Sequence, residues 1–282
     1  MSTGTYEKPV LTDQQFGEIS KMVYDHCKIN LHEGKKELVR ARLAKRLRVG
    51  GFASYPEYMH HVRSDETGRE FSVLIDALST NLTSFFREIQ HFEFLQQSFL
   101  PQLLARKQKQ GVFKIRCWSA GCSSGEEPYS LAITLLEETS DKGRWDVKVL
   151  ASDISTTVLD CARRGVYDKE RIEPVSALQR SRYLTKRRVQ REEVYEVNAL
   201  LREAVVFKHV NLMEAWPIRV PLDFIFCRNV MIYFDKPTQE CLVNRYWDQL
   251  DVGGVLFTGH SESLTGVNHK FKYVQPTIYR KP

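Results

Sequence analysis

The stretch that most restricts the fold of this chain is Phe113 to Leu131, FKIRCWSAGCSSGEEPYSL. Its first half is rich in apolar residues that favour strands, and its middle contains Gly121 and Gly125, which allow a sharp turn. Its second half begins with acids and a proline, which suit the first turn of a helix. The pattern predicts a buried strand, a tight turn and a helix, the beginning of an α/β fold with a ligand crevice.

The next predicted strand, Val147 to Ala151, is followed by Asp153, and an acid at this position commonly binds the ribose hydroxyls of a nucleotide. The turn lacks both the G-x-G-x-x-G pattern of dinucleotide folds and the Gly-Lys-Ser/Thr ending of a P-loop. Glu126 and Glu127 would repel a pyrophosphate. A nucleoside with a cationic centre, such as S-adenosylmethionine, fits better, although an ordinary α/β connection without a ligand has the same pattern.

The composition, 42% hydrophobic and 27% charged residues, is that of a globular protein. No apolar run approaches the roughly 20 residues that cross a bilayer, and the first residues lack an apolar signal segment, so we expect a cytoplasmic protein. The six cysteines and eight histidines form no C-x-x-C or H-x-x-x-H pair, so we expect neither a metal site nor disulfides. The net charge of +6 permits nucleic acid, an anionic membrane or an acidic protein as partner.

Upstream of the central stretch the sequence predicts a small helical domain. Thr12 with Gln15, and Thr67 with Glu70, have the spacing of capping boxes. The second helix, Lys35 to Arg48, has an apolar stripe surrounded by seven cations: Lys35, Lys36, Arg40, Arg42, Lys45, Arg46 and Arg48. We call these seven residues the basic surface. Such a surface is either a solvated helix face or a docking site for an acidic helix.

Two segments depart from the alternation of helices and strands. Thr80 to Glu88, TNLTSFFRE, is a predicted linker that either joins two domains or covers a ligand, and a helix from His91 to about Lys109 follows it. Arg180 to Val197 mixes basic and aromatic residues and predicts an exposed antiparallel insertion. A nucleic-acid surface and a solvated hairpin are both compatible with this insertion.

Two further predicted strands, Ala204 to Phe207 and Leu222 to Cys227, are followed by polar residues. Ligands of open α/β sheets bind outside the carboxyl ends of strands, so these residues are expected to face the same crevice as Asp153: Asn211, Arg228, Asn229 and Tyr233. The predicted sheet is completed by a helix from Pro237 to Leu250, a turn at Gly253-Gly254, and strands at Val255 to Thr258 and around Thr277 to Arg280.

Six segments occur in a characteristic order: TNLTSFFRE, WSAGCSSGEEPYSLA, LASDIS, VNLME, FCRNVMIYFDKPTQE and GHSES. In this order and at these intervals they resemble the CheR family of chemotaxis receptor glutamate O-methyltransferases, and the similarity spans essentially the whole chain. The resemblance implies an α/β fold, a Rossmann-like methyltransferase domain with a small antiparallel β insertion, preceded by an all-α domain. The implied boundaries are a receptor-docking helical domain at 1–79, a linker contributing to the cofactor site at 80–92, and the methyltransferase domain at 93–282, with its β-subdomain at about 175–203.

The resemblance also implies the site residues. Those expected to contact S-adenosylmethionine are Asn81, Thr83, Arg87, Glu127, Asp153, Asn211, Leu212, Arg228 and Asn229. Arg87 and Tyr233 match the positions closest to the transferred methyl group. The basic surface would recognise the acidic methylation region of the receptor. In some members a glycine-containing loop binds a receptor pentapeptide; Lys186 to Glu193 contains no glycine, which favours a member that works without this tether.

The implied reaction is methyl transfer from S-adenosylmethionine to glutamate carboxylates of a chemotaxis receptor's cytoplasmic domain, giving methyl esters and S-adenosylhomocysteine. We expect a monomer without a metal. Three alternatives remain: a methyltransferase of the same fold acting on another acidic protein or on RNA, a receptor-binding module without catalysis, and a nucleotide-dependent oxidoreductase. The absence of an N-P-P-Y motif disfavours the RNA enzyme, and the missing G-x-G-x-x-G disfavours the oxidoreductase.

Overall fold

The computed structural model describes residues 10–140, 145–189 and 191–282. Contacts within the chain divide it into two compact units. The helical unit extends to Thr80 and includes Tyr233–Asp235, whereas the sheet unit consists of residues 81–232 and 236–282. Residues 1–9 of the predicted helical domain lie outside the described part of the chain.

The helical unit is built from amphipathic helices: α1 (Asp13–Cys27), α2 (Lys36–Gly50), α3 (Tyr55–Ser64) and α4 (Arg69–Leu78). The predicted capping box at the start of α1 is confirmed, because the Thr12 hydroxyl accepts the Gln15 N–H at 3.2 Å and the Gln15 side chain accepts the Thr12 N–H at 3.0 Å. The buried residues of α1 recur at helical spacing, which forms one apolar face: Phe16, Ile19, Val23 and Cys27.

The second predicted capping box is wrong. Helix α4 begins after Gly68, which has a left-handed φ of 69° and no side chain to cap the helix. The carboxylate of Asp65 accepts instead, from the N–H of Glu70 at 2.7 Å and from that of Thr67 at 2.9 Å. An Asp-initiated turn through the glycine therefore takes the place of the Thr-x-x-Glu cap.

The described residues of the sheet unit form the following strands: β1 (Lys114–Ala120), β2 (Asp146–Asp153), β3 (Val166–Asp168), β4 (Leu184–Val189), β5 (Glu192–Val197), β6 (Val205–His209), β7 (Leu222–Cys227), β8 (Leu250–Thr258), β9 (Lys272–Gln275) and β10 (Ile278–Arg280). The larger sheet has the order β6-β2-β1-β7-β8-β10-β9. Its first five strands in this order are parallel, and β10 and β9 are antiparallel. Because β2 and β7 lie on opposite sides of β1, the strand order reverses there, which is where such sheets bind ligands.

The helices of the sheet unit cover the sheet: α5 (Ile89–Phe94), α6 (Leu100–Lys109), α7 (Glu126–Thr139), α8 (Thr156–Arg164), α9 (Ala177–Tyr183), α10 (Ala199–Ala204) and α11 (Lys236–Gln249). A π-helical turn, Leu95–Phe99, joins α5 to α6, and together they form the helix predicted from His91 to about Lys109. Strand β7, LDFIFC, is buried at every position, as expected for a parallel strand covered on both faces. In the described part of the chain no helix is both long and apolar enough to cross a membrane.

The predicted antiparallel insertion is present as a small sheet of order β3-β5-β4, but with different boundaries. Arg180 to Tyr183 belongs to α9 rather than to a strand, and β3 was not predicted. Gln190, which stands between β4 and β5 in the sequence, lies outside the described residues, so the predicted glycine-free loop is described only at residues 186–189 and 191–193.

The predicted turn at Gly253-Gly254 is also wrong. Both glycines lie within β8, where the register against β7 shifts: Leu222 pairs with Leu250, and Phe224 pairs with Val255. Gly253 has a left-handed φ of 77°. The glycines therefore form an irregularity of the bulge type inside a continuous strand and do not end it.

Candidate functional site

The loop between β1 and α7 is folded tightly around its two glycines. Gly121 and Gly125 have φ values of 86° and 100°. A Cβ atom on Gly121 would lie 2.3 Å from Cγ2 of Val230, and one on Gly125 would lie 2.8 Å from the Tyr167 hydroxyl. Both positions therefore require glycine, for backbone conformation and for close packing.

Asp153, at the end of β2, is bound to this loop. Its carboxylate oxygens accept the N–H of Ser123 at 2.8 Å and that of Ser155 at 3.0 Å. The Ser123 hydroxyl in turn donates to the carbonyl oxygen of Asn81 at 2.9 Å. The predicted linker, the glycine loop and β2 therefore meet at the carboxyl end of the sheet. We call the region bounded by Asn81, Ser119, Ser123, Asp153 and Arg228 the crevice.

Arg228 follows β7 and is 5% exposed. Its Nε lies 3.4 Å from Oε2 of Glu88, its Nη1 lies 3.6 Å from Oε2 of Glu127, and its Nη2 donates to the carbonyl oxygen of Arg87. Within the described residues, Nε and Nη1 are in ion pairs but have no hydrogen-bond partner. Because both nitrogens carry N–H groups, Arg228 has buried hydrogen-bond donors that the described residues leave unused.

The two acids at the start of α7 have different surroundings. Glu126 is fully buried, pairs with Arg171 and accepts the Ser124 hydroxyl at 2.9 Å. Glu127 accepts the Ser119 hydroxyl at 2.7 Å and faces Arg228. Burial raises the pKa of Glu127, while Arg228 and Ser119 act in the opposite direction. Glu126 thus has partners outside the crevice, whereas Glu127 lies on its wall.

The other predicted contacts in the sheet unit lie on loops. The Asn211 side chain accepts the Met213 N–H at 3.0 Å, and Leu212 beside it is buried. In the linker, Thr83 is half-buried, and Arg87 donates from Nη1 to the Leu82 carbonyl at 2.8 Å. Non-glycine residues with a left-handed backbone occur at the crevice: Glu88 (φ 56°), Ser123 (φ 47°) and Asn229 (φ 59°).

Tyr233 belongs to the helical unit. Its hydroxyl donates to the carbonyl oxygen of Thr80 at 3.4 Å, its own carbonyl accepts the Asn30 N–H at 2.8 Å, and Lys35 Nζ lies 5.2 Å from the centre of its ring. This tyrosine is therefore anchored at both its backbone and its side chain.

The members of the basic surface differ in their contacts. Arg46 donates to both carboxylate oxygens of the buried Glu70, at 2.7 and 2.6 Å. Arg42 donates to the Ser79 carbonyl at 3.0 Å and to the Thr80 hydroxyl at 2.6 Å. Lys45 and Arg48 are exposed. Some cations of this surface therefore stabilise the helical unit, while others are accessible to a partner.

Glu88, His91 and His260 bring potential metal-ligand atoms within 4.8 Å of one another. The guanidinium of Arg228 already provides a positive charge here, 3.4 Å from the shared Glu88 oxygen. His91 is buried with its Nε2 atom 2.8 Å from the Thr277 hydroxyl oxygen, and burial, Arg228 and His260 lower its pKa to about 3. In this cluster the imidazole of His91 is therefore neutral, and the negative charge of the Glu88 carboxylate is compensated by the guanidinium of Arg228.

Four residues that contact predicted site residues were not themselves predicted: Glu88, Ser119, Ser123 and Glu262. A signal for them was present, because each lies inside one of the six segments that carry the family resemblance. Their roles depend on contacts with distant parts of the chain, which the segments themselves do not reveal.

An open parallel sheet with a glycine turn after its first strand, an acid after its second and acids rather than a lysine after the turn is the arrangement expected of a Rossmann-like, S-adenosylmethionine-dependent methyltransferase. Comparison with known proteins gives the family. Residues 14–79 match the CheR methyltransferase all-alpha domain, and residues 81–280 match the CheR methyltransferase SAM binding domain. The chain belongs to the CheR methyltransferase family, as the resemblance implied, and its cofactor is S-adenosylmethionine.

Curated relatives match over nearly their whole length. The chain is 44% identical to chemotaxis protein methyltransferase 2 of Pseudomonas aeruginosa, over 95% of this chain and 93% of that protein. It is 40% identical to the chemotaxis protein methyltransferase of Borreliella burgdorferi, over 96% and 95% of the two chains. It is 38% identical to that of Escherichia coli, over 97% and 92%. The enzyme is a methyltransferase of chemotaxis.

Proposed function

We propose that this chain methylates glutamate side chains of a chemotaxis receptor's cytoplasmic domain, giving glutamyl methyl esters and S-adenosylhomocysteine. The observation that carries the proposal is the crevice, in which Arg228 with available donors, the acid Asp153 and the glycine turn meet at the switch point of the sheet. The names of the relatives, chemotaxis protein methyltransferases, support a chemotaxis protein as the methyl acceptor.

The residues proposed to hold the cofactor are Asn81, Thr83, Arg87, Glu127, Asp153, Asn211, Leu212, Arg228 and Asn229. The carboxylate oxygens of Asp153 accept the backbone N–H groups of Ser123 and Ser155, which fixes this acid at the tip of β2, where an acid commonly binds ribose hydroxyls. The Nε and Nη1 donors of Arg228 suit the carboxylate of the amino-acid portion. Among the charged residues of the site the three carboxylates Asp153, Glu88 and Glu127 outnumber the two guanidinium groups of Arg87 and Arg228, so the crevice favours a cationic ligand.

S-adenosylmethionine supplies the methyl group on a sulfonium, which a carboxylate oxygen of the acceptor attacks in line. A glutamate has an ordinary pKa of about 4.3, so the nucleophile is ionised at neutral pH and needs no general base. The protein's contribution is then alignment and the exclusion of water. We propose that Arg87 orients the incoming carboxylate through charge-assisted hydrogen bonds, and that Tyr233 lines or orients the same group.

The helical domain at 1–79 is proposed to dock the receptor, with the linker at 80–92 contributing to the cofactor site of the methyltransferase domain at 93–282. The accessible members of the basic surface, above all Lys45 and Arg48, complement an acidic receptor helix. In the β-subdomain at about 175–203, β4 is an edge strand. Because the loop Lys186 to Glu193 contains no glycine, we propose that the enzyme methylates its receptor without binding a receptor pentapeptide at this subdomain. The proposed enzyme is a cytoplasmic monomer.

The test is transfer of labelled methyl groups from S-adenosylmethionine to receptor-containing membranes. We expect label on a receptor-sized band that alkali releases as a volatile product, because methyl esters are hydrolysed by base. The matched control is membranes whose receptor has glutamine at the methylated glutamates. Label that survives alkali, or label on added RNA with none on the receptor, would contradict the glutamate assignment and favour the alternative acceptor.

A further inference from the structure

The segment GHSES contributes to the family resemblance but has no role in the proposed reaction. It places a buried carboxylate beneath the loop that follows β7. Glu262 is 5% exposed; its Oε2 accepts the N–H of Asn229 at 2.7 Å and that of Gly259 at 2.6 Å, and its Oε1 accepts the N–H of Ile232 at 3.1 Å. One side chain thus satisfies backbone donors on two different loops.

The loop from Arg228 to Ile232 needs this support. It begins where the hydrogen bonds of β7 end, and Asn229 has a left-handed φ of 59°, which a non-glycine residue keeps only when its surroundings impose it. Arg228, directly before it, is the residue whose guanidinium points between Glu88 and Glu127. Since the backbone of Asn229 is fixed by Glu262, the direction in which Arg228 enters the crevice is fixed as well.

Gly259, on the other side of the Glu262 carboxylate, is closely packed against Asn229. A Cβ atom on Gly259 would lie 2.5 Å from Nδ2 of Asn229, 2.7 Å from its backbone nitrogen, and 2.8 Å from Oε2 of Glu262. The Thr258 hydroxyl donates to the carbonyl oxygen of Glu262 at 2.8 Å, which joins the turn to β8. The carboxylate therefore acts as a rigid connection between the end of β8 and the loop after β7.

We propose that Glu262 is a positioning residue for cofactor binding, because its carboxylate holds the loop in which Arg228 and Asn229 are presented to S-adenosylmethionine. It acts through these two residues and does not itself contact the cofactor. The inference rests on the proposed cofactor-binding role of Arg228 and Asn229, and it adds the element that gives them their geometry.

The first variant is Glu262→Gln, which keeps the size of the side chain. Its amide has one oxygen, so an NH₂ group must face either the Ile232 N–H or the two N–H groups of Asn229 and Gly259. We expect the Kd for S-adenosylhomocysteine, measured by titration calorimetry on the full chain, to rise about tenfold. The binding stoichiometry counts the folded molecules, so a loss of folded protein lowers the stoichiometry and does not imitate a change in Kd.

A second variant, Gly259→Ala, perturbs the same connection without removing the carboxylate, and we expect Kd to rise in the same direction. The matched control is Glu240→Gln, since the Glu240 carboxylate accepts the backbone N–H of Asn268, at 3.2 Å, at another place on the sheet unit. For this control the Kd should stay within about twofold of the wild-type value.

The kinetics give a second criterion. For Glu262→Gln we expect the KM for S-adenosylmethionine to rise about tenfold, with a much smaller change of kcat at saturating cofactor. A fall of kcat at unchanged KM, or an unchanged Kd in both loop variants, would overturn the proposal. A wild-type chain that binds S-adenosylhomocysteine but does not methylate receptor would contradict only the proposed acceptor, whereas a wild-type chain that does not bind it would contradict the positioning role as well.

Discussion

Nη1 of Arg228 lies 3.6 Å from Oε2 of Glu127, and the same guanidinium also faces Glu88, so two carboxylates whose side chains are 12% and 10% exposed share one buried cation. Removing one carboxylate from such a group changes both its charge and the donors that remain for a ligand. The neighbouring Glu126 belongs to a different pair, with Arg171. The two adjacent acids can therefore be tested against each other.

Glu127→Gln should weaken the binding of S-adenosylhomocysteine about tenfold while changing the free energy of unfolding by about 1 kcal/mol or less, because the desolvation cost of its charge is removed along with the ion pair. Glu126→Gln should do the reverse: little change in affinity and about 2 kcal/mol lower stability, since it removes the charge that pairs with Arg171 and replaces one of the two accepting oxygens, which serve Arg171 and Ser124, by an NH₂ group. Calorimetry and urea denaturation measure the two effects. If Glu126→Gln weakened the binding of S-adenosylhomocysteine and Glu127→Gln did not, Glu126 rather than Glu127 would be the cofactor contact.

Arg87→Ala should lower kcat about a hundredfold, the order of magnitude expected when a reacting group is no longer aligned. Its effect on the Kd of S-adenosylhomocysteine should be much smaller. The matched control is Arg163→Ala, an exposed arginine of α8 that pairs with Asp160 on the same helix. Equal losses of kcat and of cofactor affinity would show that Arg87 serves only in cofactor binding, and an unchanged kcat would remove it from the reaction.

The basic surface can be divided by mutation. Lys45→Glu combined with Arg48→Glu should slow receptor methylation, most strongly at low salt, while the affinity for S-adenosylhomocysteine and the free energy of unfolding stay nearly constant, because both residues are exposed. Arg46→Ala should instead destabilise the protein by about 2 kcal/mol, since it leaves the buried carboxylate of Glu70 without its cation. Undiminished methylation in the charge-reversed variant would contradict docking through this surface.

The buried His91 predicts a dependence of stability on pH. Its pKa is lowered to about 3, so the unfolded chain binds a proton near pH 6.5 that the folded chain does not. Stability from this residue is complete above pH 6.5 and is lost as the pH falls towards 3. Between pH 7.5 and 5.5 this loss amounts to about 1.4 kcal/mol.

His91→Gln should remove that part of the pH dependence, whereas His60→Gln, which replaces an exposed histidine of α3, should keep it. Urea denaturation of the three proteins at both pH values makes the comparison. Parallel pH profiles for the wild type and His91→Gln would contradict the lowered pKa, because they would show that His91 takes up its proton at the same pH in the folded and the unfolded chain.

The central architecture follows from the sequence because its signals are local. Phe113 to Leu131 contains both the hydrophobic pattern of its strand and helix and the glycines that separate them, all within a few residues. The apolar run of β7 is equally local. Strands β3 and β9 were missed because they are three and four residues long and mostly exposed, so neither shows an apolar pattern. Their pairing with a neighbouring strand, β5 for β3 and β10 for β9, rather than an apolar pattern of their own makes them strands.

The glycines also show that local sequence predicts only part of the structure. Gly121 was placed correctly as a turn, whereas Gly253 lies within β8 and Gly68 replaces a side-chain cap. All three have a left-handed φ, so the residue type predicts the backbone conformation but not the structure around it. In the site, the position of Asp153 at the tip of β2 could be predicted, but the support of Asn229 by Glu262 could not, because the two residues are far apart in sequence.

The left-handed residues at the crevice, Glu88, Ser123 and Asn229, have a consequence for attempts to improve the enzyme. Each such conformation costs about 1–3 kcal/mol, so glycine at Asn229, whose backbone N–H makes the bond to Glu262, would ease the backbone and tend to raise the melting temperature. Glycine at Glu88 or Ser123 would also remove the ion pair with Arg228 or the hydrogen bond to Asn81. Selection for heat resistance alone would therefore favour the loss of the Asn229 amide, a proposed cofactor contact. Substitutions meant to stabilise the enzyme should therefore be placed on helices away from the crevice, where a gain in stability does not lower turnover.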